Sequence, residues 1–288
     1  MKIADLRNEY HRRICEEVIR IRTDKKKGFD YPNSADSGNK SSIKIAWGLV
    51  QRLGCVQNYE VVSEQTVGGL FEKITKDFLE KAFGLLNHLR PGKWHYATTQ
   101  TVISRFSQYG HLAHLQEAIK KDKELSSTLG GDYIVKPDIV ITRSPVSDEE
   151  INIVEEVIDH KNNYATLTPL RESNLKKIQP ILHASISCKW TVRSDRSQNT
   201  RTEALNLIRN RKGNLPHIVA VTAEPLPTRI STLALGTGDL DCVYHFALHE
   251  LKETINDIDN HDQLDMLLMM VEGKRLRDIS DLPFDLAT

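Results

Sequence analysis

The chain has 288 residues, and its 39 lysines and arginines balance 39 aspartates and glutamates, so its formal net charge is zero. With 39% hydrophobic and 27% charged residues, the composition is that of a globular protein and excludes collagen-like, low-complexity and strongly disordered chains. Zero net charge argues against a protein that coats nucleic acid through bulk positive charge, but it allows a local basic patch.

The N-terminus, the longest apolar run and the cysteines bear on the compartment. The opening sequence MKIADLRNEYHRR is charged from its start and lacks the apolar stretch of a signal peptide. The longest apolar run, 266–271, is far too short to span a membrane. The four cysteines show no paired spacing, which suits a reducing cytosol and argues against a cysteine zinc site. We therefore expect a cytoplasmic protein without a membrane segment.

Helical patterns dominate the first part of the chain. Apolar residues between Leu6 and Ile21 recur at helical spacing, and they predict an opening helix. The polar stretch 24–39 predicts an exposed loop. Further helices are predicted over about 66–89, where Pro91 and Gly92 follow, and over 111–125.

Strand patterns begin near residue 133. Apolar stretches predict strands at 133–142, 151–157, 183–192, 217–223 and 242–248. Helical patterns return at about 198–211 and 262–273. Helices before and after a mixed sheet predict an α/β fold. No segment is long enough to serve as a linker, so we expect one domain over 1–288.

Two charged residues lie inside apolar strands, where each needs a partner. Asp138 is in the first predicted strand, and a carboxylate there is costly unless it binds a cation or another group. In the third strand, period-two alternation places Lys189 on the same face as Ser187. Glu203, in the helix that follows, can return toward Lys189.

Paired acids and a lysine suit metal-assisted hydrolysis of a phosphodiester. The acids hold Mg²⁺, which stabilises the charge that grows on the phosphate, and the lysine orients the attacking water and helps to deprotonate it. For Asp138, Lys189 and Glu203 alone, a buried ion-pair network without catalysis is the alternative.

A second motif, RSDR, places Arg193, Asp195 and Arg196 at the predicted strand-to-helix turn. Arginine matches the O6 and N7 atoms of guanine, and aspartate accepts from the N4 amino group of cytosine. The motif therefore has the donor and acceptor pattern for a step rich in G and C. A solvated capping turn is the alternative, because an aspartate near a helix N-terminus often caps it.

Together, Asp138 in PD, Lys189 in SCK, the RSDR motif and Glu203 resemble the CCGG family of type II restriction endonucleases, above all its members that cut GCCGGC. In the general pattern of such nucleases an acid occupies the position of Ser187. This family is similar in moving that acid to the next helix, where Glu203 lies. The resemblance covers most of the chain, and it implies a PD-(D/E)xK restriction-endonuclease-like fold, with a central mixed β-sheet flanked by helices.

The resemblance also implies a metal site for Mg²⁺. Asp138 would bind the metal directly, and the carbonyl of Cys188 would add a ligand. Glu203 and Glu72 would contact the metal through water, while Lys189 would position the attacking water or the scissile phosphate. A solvated helix residue is the alternative for Glu72.

For DNA, the RSDR motif matches the residues that read the inner bases in the major groove. Asp36 matches the reader of the outer cytosine, Arg229 the reader of the outer guanine, and Gln65 a minor-groove contact. The alternatives are an Asx turn at Asp36 and plain surface positions at Gln65 and Arg229.

The implied activity is Mg²⁺-dependent, site-specific hydrolysis of double-stranded DNA at a palindrome containing CCGG. The implied site is GCCGGC, cut after the first G to leave a 5′-CCGG overhang. A palindrome implies a two-fold homodimer, and the resemblance implies a homotetramer that binds two sites. Two alternatives stay open: another PD-(D/E)xK nuclease for repair or branched structures, which gives no reason for RSDR, and a non-catalytic DNA-binding protein.

Local charge agrees with this interpretation. Segment 189–229 holds eight basic residues against three acidic ones, whereas segment 250–285 holds ten acidic residues against four basic ones. A basic strip can therefore face DNA phosphates while acidic surfaces face away.

Overall fold

The structure is a computed structural model. It describes residues 1–98, 102–121, 124, 135–159, 161–162, 164–174, 178–236 and 238–288. Within these ranges, the description does not extend to the side chains of Gln116, Lys120, Asn174, Ser194, Asp195 and Arg196.

A mixed sheet forms the centre of the described chain. Its strands, in spatial order, are β3 (Trp94–Ala97), β4 (Ile139–Arg143), β5 (Ile181–Lys189), β6 (His217–Thr222), β7 (Cys242–His245) and β8 (Leu276–Asp278). Strands β3, β4 and β5 pair antiparallel, and β5 to β8 pair parallel. Strand β5 is therefore where the sheet changes from antiparallel to parallel pairing. The predicted α/β fold with a mixed sheet flanked by helices is confirmed.

Helices surround this sheet, and a separate hairpin lies near the N-terminus. The helices are α1 (Ile3–Arg13), α2 (Lys40–Arg52), α3 (Glu64–Gly84), α4 (His111–Lys121), α5 (Asp148–Ile151), α6 (Ser194–Asn210), α7 (Pro227–Ala234), α8 (Leu248–Asp257), α9 (His261–Glu272) and α10 (Leu282–Asp285). The hairpin pairs β1 (Ile21–Asp24) with β2 (Phe29–Pro32). Across the described ranges, no helix has the length and apolarity that crossing a membrane requires.

Helix α3 packs against the end of β5, the strand that contains Lys189. The Ser63 hydroxyl accepts from the Thr66 N–H and caps the helix, as serine commonly does. The Phe71 ring, fully buried on the inner face of α3, packs edge-on against Trp190 just beyond β5, with 5.2 Å between ring centroids. The next residue along α3, Glu72, is thereby held beside the end of β5.

The strand predicted at 151–157 is wrong. Ser147 and Glu150 form a capping box that begins α5, and the chain leaves this helix without pairing in the sheet. The apolar side chains that suggested a strand are exposed, Ile153 by 80% and Val154 by 91%. Their alternation therefore does not mark a face turned toward the core.

The polar stretch 24–39 is also more ordered than predicted. It contains β2, and the buried Asn33 side chain accepts from the Arg20 N–H and donates to the Val18 carbonyl. Helix α2 was not predicted at all, although Asn39 caps it. Its buried residues Ile45, Ala46, Leu49 and Val50 follow helical spacing.

Other predicted boundaries shift by a few residues. Helix α1 ends at Arg13, and a π-helical turn (Ile14–Val18) leads into β1. Helix α3 ends five residues before the predicted end at 89, and strands β5 and β7 end at Lys189 and His245. Positions 125, 133 and 134 of the predicted elements lie outside the described residues. Of the strand predicted at 133–142, residues 135–138 are not in a strand, because β4 begins at Ile139.

The cysteines show no paired spacing in the sequence, but two of them are bonded to each other in the structure. Cys15 and Cys55 form a disulfide that closes 40 residues of chain, with 4.9 Å between their Cα atoms. The disulfide joins the turn after α1 to the segment after α2. The spacing of the cysteines in the sequence does not predict this contact. Cys188 and Cys242 are free and buried.

Candidate active site

A cleft of about 730 Å³ opens at the carboxyl end of β5, where the sheet changes from antiparallel to parallel pairing. Eight of the predicted site residues line the cleft: Asp36, Gln65, Glu72, Cys188, Lys189, Arg193, Glu203 and Arg229.

Asp138 is joined to the end of β5 through one carboxylate oxygen. Its Oδ2 accepts from the Lys189 Nζ at 2.9 Å and from the Cys188 N–H at 2.8 Å. The Ser187 hydroxyl, in the position where the general pattern has an acid, lies 3.4 Å from the same oxygen. Among the described residues, no hydrogen bond reaches the Oδ1 atom, so this oxygen is available to a ligand.

Lys189 carries its charge in a largely buried position. Burial lowers the pKa of its ammonium group, but the charge of Asp138 and the hydrogen bond to it outweigh burial and raise the pKa above its usual value. The predicted need of Lys189 for a carboxylate partner is therefore met by Asp138, which directly precedes β4 and does not lie inside a strand as predicted.

Glu72 and Glu203 approach this pair from two helices, α3 and α6. Burial, with a smaller contribution from the charge of Asp138, raises the pKa of Glu72 to about 7. Burial also raises the pKa of Glu203, against the opposing charge of Lys189. We call Asp138, Lys189, Glu72 and Glu203 the catalytic centre. Three acids beside a single lysine leave negative charge that a bound cation would compensate.

Exposed charges line the outer part of the cleft. Arg193 is the N-cap of α6, its side chain is 63% exposed, and its guanidinium lies 4.0 Å from Glu64. Asp36 and Arg229, 193 residues apart in the chain, form an ion pair. The Gly38 N–H and then Arg229 lower the pKa of Asp36.

The other predicted DNA contacts are Gln65, Asp195 and Arg196, and the structure describes the side chain of Gln65 alone among these three. Gln65 is exposed in the first turn of α3 and lines the cleft. The side chains of Asp195 and Arg196 lie outside the described residues. Their backbone belongs to the first turn of α6, which begins at Ser194 and not near 198 as predicted. We call Arg193, Asp195, Arg196, Asp36, Arg229 and Gln65 the reading rim.

Comparison with known proteins agrees with these motifs. A sequence model of the NgoMIV restriction enzyme family matches residues 10–288. The type II restriction enzyme NgoMIV of Neisseria gonorrhoeae is 50% identical to this chain over 259 residues, which are 88% of this chain and 89% of NgoMIV. The chain belongs to the NgoMIV restriction enzyme family. It is a type II restriction endonuclease, which binds DNA and cleaves it at specific sites.

Two solved structures also resemble this NgoMIV-family enzyme. The restriction endonuclease Bse634I with its cognate DNA has a TM-score of 0.34, 10% identity, and covers 84% of this chain and 97% of its own. A second Bse634I structure has a TM-score of 0.35, 12% identity, and coverage of 86% and 98%. At such low TM-scores these likenesses carry no argument, and the fold is taken from the sheet and helices described above.

The catalytic centre of this NgoMIV-family enzyme suits a hard divalent cation. Its donors are carboxylate and carbonyl oxygens, which Mg²⁺ prefers, and Asp138 has one oxygen available. Within the described ranges, no three His, Cys, Asp or Glu side chains converge into a ready metal cage.

One residue of this NgoMIV-family site escaped the sequence analysis. Glu224 follows β6, is only 1% exposed, and bonds to the backbone near Arg193 and Arg229. The available signal was an acid between an apolar strand and two prolines, in the sequence AEPLP. Its partner Val192 lies 32 residues away in the chain, so the local sequence offers no reason to single Glu224 out.

Proposed function

We propose that this enzyme hydrolyses duplex DNA at GCCGGC after the first G, leaving a 5′-CCGG overhang, and that it uses Mg²⁺. The observation that carries the proposal is one cleft lined both by Lys189, Glu72 and Glu203, of which Lys189 holds Asp138, and by four predicted DNA contacts: Arg193, Asp36, Arg229 and Gln65. An ion-pair network alone would explain Asp138 and Lys189, but it would not explain exposed arginines and an aspartate beside them.

The side chains have complementary parts in the reaction. Asp138, whose Oδ2 accepts from the Lys189 Nζ at 2.9 Å, would hold the metal and keep the ammonium group beside it. The carbonyl of Cys188 would add a ligand, and Glu72 and Glu203 would act through water. When bound, Mg²⁺ supplies positive charge that stabilises the charge developing on the scissile phosphate. Lys189 would orient the attacking water or the phosphate, and the products would carry 5′-phosphate and 3′-hydroxyl ends.

The reading rim suits G·C base pairs. Asp36 and Arg229 already lie side by side, so an acceptor and a donor face the cleft together. A G·C pair presents the acceptors O6 and N7 beside the N4 donor in the major groove. This complementarity supports reading of the outer pair by Asp36 and Arg229, with Arg193, Asp195 and Arg196 reading the inner pairs and Gln65 the minor groove.

A palindromic site requires a two-fold homodimer, and we further propose a homotetramer that binds two sites. The segment after α5 supports burial against a second copy, because Ile153, Val154 and Leu167 are exposed by 80%, 91% and 98%. We also propose a cytoplasmic enzyme with a single restriction-endonuclease-like domain over 1–288.

The experiment is digestion of a plasmid of known sequence with Mg²⁺, followed by sequencing of the ends. We expect every end to derive from GCCGGC with a 5′-CCGG overhang, and no cleavage when EDTA replaces Mg²⁺. Ends at unrelated sequences, or cutting only at branched DNA, would indicate a repair or structure-specific nuclease. Intact plasmid would indicate a DNA-binding protein without this activity.

A further inference from the structure

Glu224 joins two segments of the cleft wall through its two carboxylate oxygens. Its Oε2 accepts from the Val192 N–H at 2.9 Å, and its Oε1 accepts from the Leu226 N–H at 3.2 Å. At 1% exposure the side chain is inside the protein and does not face the cleft. A carboxylate in this position is costly unless it is bonded, so these two bonds account for its presence.

Both N–H groups belong to the start of a helix that carries part of the reading rim. Val192 directly precedes Arg193, the N-cap of α6. Leu226 is the N-cap of α7, whose third residue is Arg229. Neither N-cap residue makes a capping bond with its own side chain. The carboxylate of Glu224 is therefore a common anchor for the two helix starts.

The catalytic centre depends on other contacts. The Lys189 carbonyl accepts from the Thr222 hydroxyl at 2.7 Å and from the Ala223 N–H at 3.3 Å. The Lys189 ammonium group is held by Asp138. Loss of a Glu224 bond would thus shift the reading rim while these contacts to Lys189 stay in place.

We propose that Glu224 is a positioning residue that sets the distance between Arg193, the reader of inner bases, and Arg229, the reader of the outer guanine. This inference rests on the proposed function, since it takes the reading roles of the two arginines from there. Specificity at the inner and outer base pairs is then coupled through one buried carboxylate that touches no base.

A change of pH can alter the charge of Glu224 without a substitution. Burial raises the pKa of Glu224 to about 7, and the negative charge of Asp36 also raises it. The two N–H bonds and the charge of Arg229 favour the carboxylate and lower the pKa, but burial outweighs them. His245, also near it, is neutral at this pH because burial lowers its pKa to about 4. Below pH 7 a proton occupies one oxygen, which then is a weaker acceptor for its N–H.

The test compares single-turnover cleavage of GCCGGC with cleavage of duplexes changed at one inner or one outer base pair. We expect Glu224→Gln, whose amide has one acceptor oxygen, to lower discrimination about tenfold at both positions. Asp241→Asn is the matched control, because Asp241 accepts the Ile218 N–H at the opposite end of β6, and it should leave both ratios unchanged.

Two further arms separate this inference from the proposed function. Arg193→Ala should lose discrimination only at the inner pairs and Arg229→Ala only at the outer pair. If they do so while Glu224→Gln changes neither ratio, or only one, the positioning role is wrong and the reading roles stand. If the arginine variants also change nothing, the proposed reading fails and the role of Glu224 fails with it.

The pH dependence of discrimination in the wild-type enzyme provides a second measurement. The discrimination of the wild type at both positions should fall between pH 8 and pH 6, and this pH dependence should disappear in Glu224→Gln. If the discrimination ratios of the wild type do not change with pH, the inference is wrong. Because both substrates share one catalytic centre, titration of Glu72 cancels in the ratio.

Discussion

One cleft is lined by three residues of the proposed catalytic centre (Lys189, Glu72 and Glu203) and by four of the proposed reading rim (Arg193, Asp36, Arg229 and Gln65), but the protein holds the two groups in different ways. Asp138 and Lys189 are one-quarter exposed or less and are bonded to each other at the end of a strand. Arg193 is mostly exposed, and Asp36 and Arg229 are each about one-third exposed at loop and helix starts. Desolvated charges act strongly on a reacting phosphate, whereas exposed donors and acceptors can meet base edges. The difference predicts that the two regions fail separately when mutated.

The largest effect is expected at Asp138, the carboxylate that would bind the metal and that accepts from Lys189. Asp138→Asn removes the negative charge while preserving the shape of the side chain. Loss of several kcal/mol of charge stabilisation, at about 1.4 kcal/mol per factor of ten, should lower the cleavage rate roughly a thousandfold. Single-turnover kinetics at saturating Mg²⁺ measures this. A variant within tenfold of wild type would remove Asp138 from the catalytic centre.

The next effect is expected in specificity. Arg193→Ala should lose about 1–3 kcal/mol of discrimination at the inner base pair, the range for one bidentate contact with guanine. Binding constants for GCCGGC and for duplexes with one inner substitution measure it at fixed salt. Arg211→Ala, an exposed arginine outside the cleft wall, is the control. Equal loss of affinity for all duplexes would make Arg193 a phosphate contact instead.

A smaller effect is expected at the outer base pair. Asp36→Asn keeps a polar side chain but removes the charge that pairs with Arg229. Because this pair is partly exposed, its energy is modest, and discrimination at the outer pair should fall about three- to tenfold. Competition binding with outer-pair substitutions measures it. Discrimination at the inner pairs should not change, and a loss there would contradict the assignment.

The smallest effect is expected in the free energy of unfolding. There a substitution, Glu72→Gln, is expected to improve the property that is measured, whereas the substitutions above impair theirs. Glu72 has a folded-state pKa raised to about 7 from 4.5, so its contribution to stability is present below pH 4.5 and is lost as pH rises through 7. Glu72→Gln should therefore stabilise the metal-free enzyme at pH 8 by roughly 1 kcal/mol, discounted because the carboxylate is only half-buried, and less at pH 5.5. Urea unfolding at the two pH values checks this. Destabilisation at pH 8 would contradict the desolvated position.

Strand alternation predicted that Lys189 and Ser187 share one face, because it depends only on local periodicity. Glu72, Asp36 and Arg229 came from the family resemblance, and the structure places these three residues at the same cleft as Lys189. Segment 151–157 misled because its apolar residues face outward. The Cys15–Cys55 disulfide and the bond from Val192 to Glu224 depend on packing between segments 40 and 32 residues apart. No local pattern encodes such contacts.

The separation of catalysis from reading is tested most directly by Lys189→Ala in a binding selection from a library of random hexamer duplexes with Mg²⁺ present. Our account predicts that the variant enriches GCCGGC as the wild type does in Ca²⁺, while the recovered duplexes remain uncut. Cleavage at the wild-type rate would contradict the role of Lys189. Loss of the sequence preference would show that the two regions are not separable.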